Sequence, residues 1–374
     1  MAERVLITGA RAAAALDLAR SLRAAGFEPH LADCSPARLA RWSRTAGPVH
    51  RYAAPVQTPA RFAQDVRALI ARLDPVRIIP TCEEVFHLSA LAAVDGFADR
   101  LFAPEAGRLA DLHAKDRFAA LCRTLGVDAP ETRTVREAAA LPRDGLEALV
   151  LKPVWSRFGA RTLVGPTPEQ VQALRPSPTE PWAVQQRIRG EDVSVYAVCN
   201  DGRIDALSAY GSPLRSRGGA ALAFQPLGPE QTERLRRMIE PLAAWAGDGQ
   251  LSFDAVIDAD GRPWLIECNP RATSGVHLFD RSADFGRALM GRGRAQMSNR
   301  SRCLGPAVWS RGARGLGEDV LSAPGDPLPP LGALVDAAAF ACDALRTGRT
   351  LTEAMTADIE WNGQPLEPDR WSRT

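Results

Sequence analysis

The sequence predicts an α/β unit followed by an α+β unit, and three observations carry that prediction. The chain opens as βαβ. Between Leu251 and Arg271, LSFDAVIDADGRPWLIECNPR, two apolar runs flank an Asp-Gly turn, and the resulting hairpin carries two acids on one face. Among 46 basic residues only Lys115 and Lys152 are lysine, so a compact, flexible ammonium survives at two places in a chain that otherwise uses arginine.

At 374 residues the chain is too long for one ordinary core and predicts two or three domains. Its 45% hydrophobic and 24% charged residues are those of a soluble globular protein. A net charge of +2, with basic residues scattered and never in runs, implies neither a nucleic-acid partner nor a membrane. MAERVLITGA enters a strand pattern without a signal-peptide core, and no stretch of about 18 apolar residues follows, so a cytoplasmic location is expected. Seven cysteines occur singly, without Cys-x-x-Cys, and suit reduced thiols. Strand alternation points Cys268 away from the acidic face, into the core.

Arg4–Thr8 is a short β-branched run ending in Gly9. An Ala-rich helix (Ala12–Ala25), the helix stop Gly26 and a strand (Glu28–Asp33) follow. Gly9-Ala10-Arg11-Ala12-Ala13-Ala14 lacks the second and third glycines of a dinucleotide fingerprint, which argues against a nicotinamide cofactor. A helix at Pro59–Leu73 leads to a buried strand at Val76–Pro80. Ligands of open parallel sheets bind at the carboxyl ends of strands, so Thr81, Glu83 and Glu84 are candidate substrate contacts. The competing reading is that they cap and charge the helix Val85–Ala93.

Lys115 lies on a helix from Asp111 to about Leu125, stopped by Gly126. The strand Ala148–Lys152 carries the other lysine, and Pro153 ends it. The loop of residues 154–161, with Ser156, Gly159, Arg157 and Arg161, suits a phosphate cover. Strands are expected at Trp182–Arg187, Val193–Val198 and Ile204–Tyr210. A cationic loop with Arg215 and Arg217 and a helix, Glu230–Ala246, come next. Beyond Arg271 the pattern weakens. Residues 300–332 are rich in Gly and Pro, a helix is expected at Leu334–Leu345 and a capping box at Thr350–Glu353, and Trp361 and Trp371 read as packing anchors.

In the hairpin, Asp260-Gly261 is the favoured two-residue type I′ turn, and a loop at those positions sets Asp254 opposite Glu267. Their Cβ atoms would then lie roughly 4.5–5.5 Å apart on one face, joined by Asn269. Like charges directly opposite destabilise a sheet, so the pair calls for a cation. Two carboxylates and an amide oxygen form a hard partial shell of the kind Mg²⁺ takes when phosphates and water supply the rest. Arg271, beyond Pro270, would face the same phosphates.

This order of features, covering roughly residues 1–280, resembles the ATP-grasp superfamily. The most specific likenesses are LVLKP at 149–153 and IECNPR at 266–271, and the NPR that follows the acidic strand is closest in style to the carbamoyl phosphate synthase large chain and related carboxylate–amine ligases. The resemblance implies an N-terminal βαβ (Rossmann-like, pre-ATP-grasp) domain at 1–110 and a two-subdomain ATP-grasp domain at 111–300. The latter would divide into a small mobile subdomain, about 113–190, and a metal-binding one, about 191–300. A C-terminal extension, 301–374, would follow. Also implied is a ligase in which ATP and Mg²⁺, for which Mn²⁺ can substitute, activate a carboxylate as an acyl phosphate. An amine or another nucleophile attacks it, and ADP and phosphate are released.

Carried over by position, Lys115 and Lys152 touch the nucleotide phosphates, with Ser156 in the covering loop. The backbone of Gln185, Gln186, Arg187 and Ile188 reads adenine, and Glu191 and Asp192 accept from the ribose. Asp254, Glu267 and Asn269 bind metal, and Arg271, catalytic together with Lys152, steadies the γ-phosphate and the acyl phosphate. Two departures limit the likeness. SRFGAR replaces a glycine-rich loop, leaving phosphate contact to Arg157 or Arg161, and Ser252 stands where D-alanine ligases carry an arginine, so their substrate contacts do not transfer.

Small-molecule carboxylate and amine substrates, amino acids among them, are expected beside Glu83, Glu84, Arg215, Arg217, Ser274 and His277. His277 is a general-base candidate set against the commoner structural role of a lone histidine. A homodimer is a family expectation. Two further readings stay open: an enzyme that phosphorylates bicarbonate or carbamate, and a non-catalytic nucleotide-binding module, against which the intact acid pair weighs.

Overall fold

The structure is a computed structural model that describes residues 2–156, 159, 161–216, 219–310, 312 and 315–372. Arg157 and Arg217 therefore lie outside the described residues. The N-terminal sheet is parallel throughout, in the order β3-β2-β1-β4, built from β1 (Arg4–Thr8), β2 (Glu28–Asp33), β3 (Val49–Arg51) and β4 (Arg77–Ile79). Parallel neighbours need crossovers, and helix α1 (Ala13–Ala24) and helix α2 (Pro59–Leu73) supply them before α3 (Glu84–Asp95) leaves the sheet.

The single helix expected from Asp111 is two. Helix α4 (Ala106–His113) and helix α5 (Lys115–Thr124) meet at Ala114, whose extended backbone (φ −69°, ψ 115°) interrupts the helical ladder. The interruption turns the Lys115 N–H toward the Val154 carbonyl at 3.5 Å and starts a new helix at the lysine. A small antiparallel sheet, β5-β8-β6-β7, follows from β5 (Thr132–Val135), β6 (Leu149–Pro153), β7 (Leu163–Val164) and β8 (Trp182–Gln186). With the short helix α6 (Pro168–Gln172) it closes over Val135, Leu151, Trp182 and Val184.

The largest sheet runs β13-β12-β9-β10-β11-β15-β16, with β14 on β10. Its strands are β9 (Gly190–Asn200), β10 (Arg203–Gly211), β11 (Ala223–Pro226), β12 (Gly249–Asp258), β13 (Pro263–Asn269), β14 (Ala295–Gln296), β15 (Arg302–Cys303) and β16 (Glu318–Asp319). Helix α7 (Pro229–Ala246) covers one face through Leu235, Ile239 and Leu242, and Cys268 is buried in the same cluster. Helix α8 (Ala283–Leu289) packs against α1 through Gly286 and joins the large sheet to the first.

The last stretch of chain, after helix α9 (Gly305–Trp309), holds helix α10 (Pro329–Thr347) and helix α11 (Leu351–Thr356). Helix α10 is longer at both ends than its apolar pattern suggests, and α11 begins with the expected Thr350/Glu353 capping box. The chain then returns to the N-terminal unit. Asp358 pairs with Arg11, Trp371 is buried beside Phe62, and Trp361 stacks on Phe86 with ring centres 4.7 Å apart. Both tryptophans are anchors, as their sequence suggests. All seven cysteines are free thiols. Among the described residues no helix is long and apolar enough to cross a membrane.

Candidate active site

The hairpin delivers the expected pairing by an unexpected route. Its loop has three residues, 259–261, closed by Asp258 N–H donating to the Arg262 carbonyl (3.0 Å) and Gly261 N–H to the Asp258 carbonyl (2.9 Å). Only Gly261, at φ 75°, is left-handed, so the type I′ turn is absent. The Asp258 carboxylate selects the longer loop by accepting from Asp260 N–H, Arg262 N–H and the Trp264 indole. Near the turn the register is consequently one residue off, with Ala255 opposite Leu265 and Val256 opposite Trp264. A bulge at Ile266 restores it, and Asp254 sits opposite Glu267 and Ser252 opposite Asn269.

The bulge does more than correct the register. It presents the Ile266 carbonyl to the small sheet, where it accepts from Lys152 Nζ at 3.2 Å and from the Gln185 amide at 3.5 Å. Lys152 Nζ and Lys115 Nζ lie 3.6 Å and 3.7 Å from the same Glu267 oxygen, and both lysine side chains are almost wholly buried. Lys115 also donates to the Ser156 carbonyl at 2.9 Å. Three elements far apart in sequence, the start of α5, the end of β6 and β13, thus meet at one carboxylate.

Electrostatics separate the two acids. Burial raises a carboxyl pKa, but at Glu267 the two ammonium groups outweigh it and hold the group to about 2. At Asp254 burial and the Glu267 charge act together and lift it to about 6, opposed by a 2.8 Å bond from the Ser194 hydroxyl and by the charge of Arg215. Burial lowers Lys152 to about 8, with Glu267 pulling it up and Lys115 pushing it further down. At Asp254 the positive charge nearby, from Arg215 and Lys152, is too weak to offset burial and Glu267. Among the described residues no three His, Cys, Asp or Glu side chains converge to hold a metal; the donors this face could offer one are the two carboxylates and the Asn269 amide. A hard divalent cation fits that donor set and would supply the missing charge.

Arg271 is held beside this pair. It donates to the Asn269 side-chain oxygen at 3.4 Å, and its own carbonyl accepts from Ser252 at 2.8 Å, which gives Ser252 a positioning task of its own. Arg271 lies close enough to the N-terminal unit for its charge to act on the Cys82 thiol, which burial pushes up. The Gln185 side chain turns inward to Thr132 (3.0 Å), and the Gln186 and Arg187 N–H groups bond to Glu131 and Ala148, each at 2.8 Å. Half-buried Ile188 follows on the link between the small and large sheets, and Glu191 and Asp192 are exposed at the start of β9. Arg215 donates to the Gly219 carbonyl, and Ser274 opens the short helix after Arg271.

Four of the sequence candidates have protein partners in place of an open face. Glu84 is fully buried and accepts from the Thr8 hydroxyl and from Thr81 and Cys82 N–H, so it caps the turn after β4. Glu83 is buried as well and accepts from Trp361 N–H in the C-terminal segment. His277 is buried, 2.7 Å from Asp17 of α1, and stacked on Phe224. Arg161 pairs with Glu180 and lies over the Trp182 ring, within its own sheet. Sequence reasoning missed Ser194, Tyr210 and the Ile266 carbonyl. Ser194 was detectable as the polar residue between Val193 and Val195 that β9 places opposite Asp254. Tyr210 is buried, which raises its pKa, and lies beside Thr273 and Ser194, whose side chains pull it down.

A parallel N-terminal sheet, a small antiparallel sheet and a large sheet that meet at two lysines and an acidic hairpin make the ATP-grasp fold. Solved structures show the same fold. The L-amino acid ligase of Bacillus licheniformis is 13% identical with a TM-score of 0.61, over 80% of this chain and 78% of that one. N5-carboxyaminoimidazole ribonucleotide synthetase of Thermotoga maritima is 13% identical (TM-score 0.58, 80% and 79% covered). Phosphoribosylamine–glycine ligase of Thermotoga maritima is 15% identical (TM-score 0.59, 80% and 78% covered). No family model and no curated protein matches the chain. At these identities the likeness is one of fold.

Proposed function

We propose that the chain is an ATP- and Mg²⁺-dependent ligase that joins a carboxylate to an amine through an acyl phosphate and releases ADP and phosphate. The observation that carries this reading is the convergence of Lys115, Lys152 and Asp254 on Glu267. Phosphoryl transfer asks a protein mainly for positioning and charge neutralisation, and this cluster can do both. Bound Mg²⁺, or Mn²⁺ in its place, supplies the charge that offsets the nucleotide phosphates, with Asp254, Glu267 and Asn269 as its protein ligands. Lys115 and Lys152, which share Glu267 in the free protein, would be the groups that meet the nucleotide phosphates. Arg271 faces the transferred phosphoryl group, Ser156 its covering loop. Residues Gln185 to Ile188 hold the base, and Glu191 and Asp192 the ribose.

The N-terminal unit, about 1–110, the ATP-grasp unit, about 111–300, and the last 74 or so residues would act together on small-molecule carboxylate and amine substrates in the cytoplasm. Arg215, Arg217 and Ser274 would border them. A second copy of the chain is a further partner in this reading.

Nucleotide use is supported by the neighbours: one N5-carboxyaminoimidazole ribonucleotide synthetase structure is an ADP complex. The biotin carboxylase domain of the Hydrogenobacter thermophilus 2-oxoglutarate carboxylase, 14% identical with a TM-score of 0.57, is described with MgADP and bicarbonate. That structure favours a second reading, phosphorylation of bicarbonate. Purified protein with ATP and Mg²⁺, challenged with pooled amino acids, small carboxylates or bicarbonate, tests both. ADP and phosphate that depend on the organic pool and vanish in Glu267→Gln are the expected result. Bicarbonate dependence alone moves the reading to the second, and AMP with pyrophosphate overturns both.

A further inference from the structure

We propose that the C-terminal segment positions the nucleotide-phosphate loop, with Trp361 and Gly363 as positioning residues and Trp155 as the side chain they hold. The inference rests on the ATP reading above. Trp155 lies three residues beyond Lys152 and next to Ser156, whose carbonyl accepts from Lys115 at 2.9 Å. A shift of Trp155 therefore moves a partner of one buried lysine and pulls on the strand that carries the other.

The indole packs on Ala114, Val154 and Ala183 at the edge of its own small sheet and also reaches beyond it. Its ring centre is 4.8 Å from Trp361 and 5.8 Å from His113, the end of the helix just before Lys115. Gly363 lies flat against it: a Cβ built there would come within 2.3 Å of the indole, and the glycine sits at φ 83°, which side-chain-bearing residues rarely adopt. The clamp has a firm backing. Trp361 stacks on Phe86, its indole donates to the Gln364 carbonyl at 2.7 Å, and its N–H donates to Glu83. On either side the segment is fixed by Asp358 on Arg11 and by buried Trp371 beside Phe62. A cavity of about 240 Å³, lined by Phe86, Ala110, Trp155, Trp361 and Leu366, lies beside this contact, so the indole has room to move once the clamp is loosened.

A purely structural aromatic cluster would stabilise the protein without favouring one step over another. A positioning clamp acts on nucleotide binding, because small misplacements of phosphate contacts weaken productive geometry by orders of magnitude. The test uses full-length Gly363→Ala, with Trp361→Phe as a milder variant should the first fold poorly. Three quantities are read: hydrogen exchange at residues 154–156 without nucleotide, KM for MgATP, and kcat. The expected result is faster exchange at 154–156 and an ATP KM raised about tenfold, with kcat within about threefold. On a Trp155→Ala background, Gly363→Ala should add less than about twofold, since the clamp then holds nothing. Unchanged exchange, an unchanged KM, or fully additive losses in the double variant would overturn the proposal. If wild type binds MgATP and the variants bind equally well, only the clamp fails. If wild type itself does not bind MgATP, the ligase reading fails and takes the clamp with it, whatever the exchange shows.

Discussion

Asp254 and Glu267 face each other across β12 and β13 with their protonation drawn in opposite directions, Asp254 up to about 6 and Glu267 down to about 2. Removing one charge or the other should therefore have unequal consequences. In the free protein Glu267→Gln leaves two buried ammonium groups without a counter-ion and should cost about 3 kcal/mol in urea unfolding. Asp254→Asn removes a repulsion and should cost less than about 1 kcal/mol or stabilise. Both variants should lose MgATP turnover. Equal destabilisation by the two would count against this arrangement of charge.

If Lys152 meets the phosphates, its burial-lowered pKa of about 8 sets a pH limit on nucleotide binding. Above that value the free protein carries a neutral amine where a phosphate needs a cation. MgATP affinity should hold between pH 6.5 and 7.5 and weaken by about tenfold per unit once pH has passed well above 8, up to the point where bound phosphate itself keeps the amine charged. Isothermal titration across this range reads the slope. A flat profile to pH 9.5 would mean that Lys152 does not meet the phosphates.

His87 predicts how stability itself depends on pH. The ring is buried beside Phe62 and Trp371, and burial lowers its pKa from the ordinary 6.5 to about 4. Because the unfolded chain binds the proton more readily than the folded one, acid favours unfolding. His87's contribution is complete above about pH 6.5, falls as pH drops toward 4, and amounts to about 3 kcal/mol over that window. His87→Phe should flatten this part of the urea-midpoint profile. An unaltered slope would assign the acid sensitivity elsewhere.

His277 separates a structural from a catalytic histidine. Its 2.7 Å contact to Asp17, which also pairs with Arg20 and Arg281, ties the helix after Arg271 to α1 of the N-terminal unit. His277→Gln should lower stability by about 2 kcal/mol and leave kcat within about fivefold, with the pH–rate profile unchanged. A loss of 100-fold or more, with the acidic limb of the profile gone, would restore the general-base role.

Much of this architecture can be read from residue pattern. The βαβ opening, the Lys152 strand, the long strands of the large sheet and the acid pair follow from β-branched runs, Gly stops and strand alternation, all of which are local signals. The hairpin shows where that logic reaches its limit. Asp260-Gly261 predicts the right partners through the wrong turn, because the loop choice lies with Asp258 and the correction with a bulge at Ile266, and neither leaves a mark in hydropathy. The short strands β3, β11 and β14 to β16 also escape, since runs of two to four residues have no periodicity to detect. Glu83, Glu84 and His277 could not be sorted by sequence because what consumes them, Trp361, the turn after β4 and Asp17, lies far along the chain or beyond the reach of local pattern.

The returning C-terminal segment also sets an order of events during synthesis. Phe62, Phe86 and His87 emerge from the ribosome early, but Ile359, Trp361 and Trp371, which cover them, are made far later. Until those residues appear, the first sheet stands with an apolar flank in water and Trp155 lacks its neighbour. The earliest-made unit is therefore completed only after both later sheets have been synthesised. A ribosome that stalls before Asp358 leaves a product with an uncovered aromatic surface, the kind of nascent chain that chaperones hold and proteases clear.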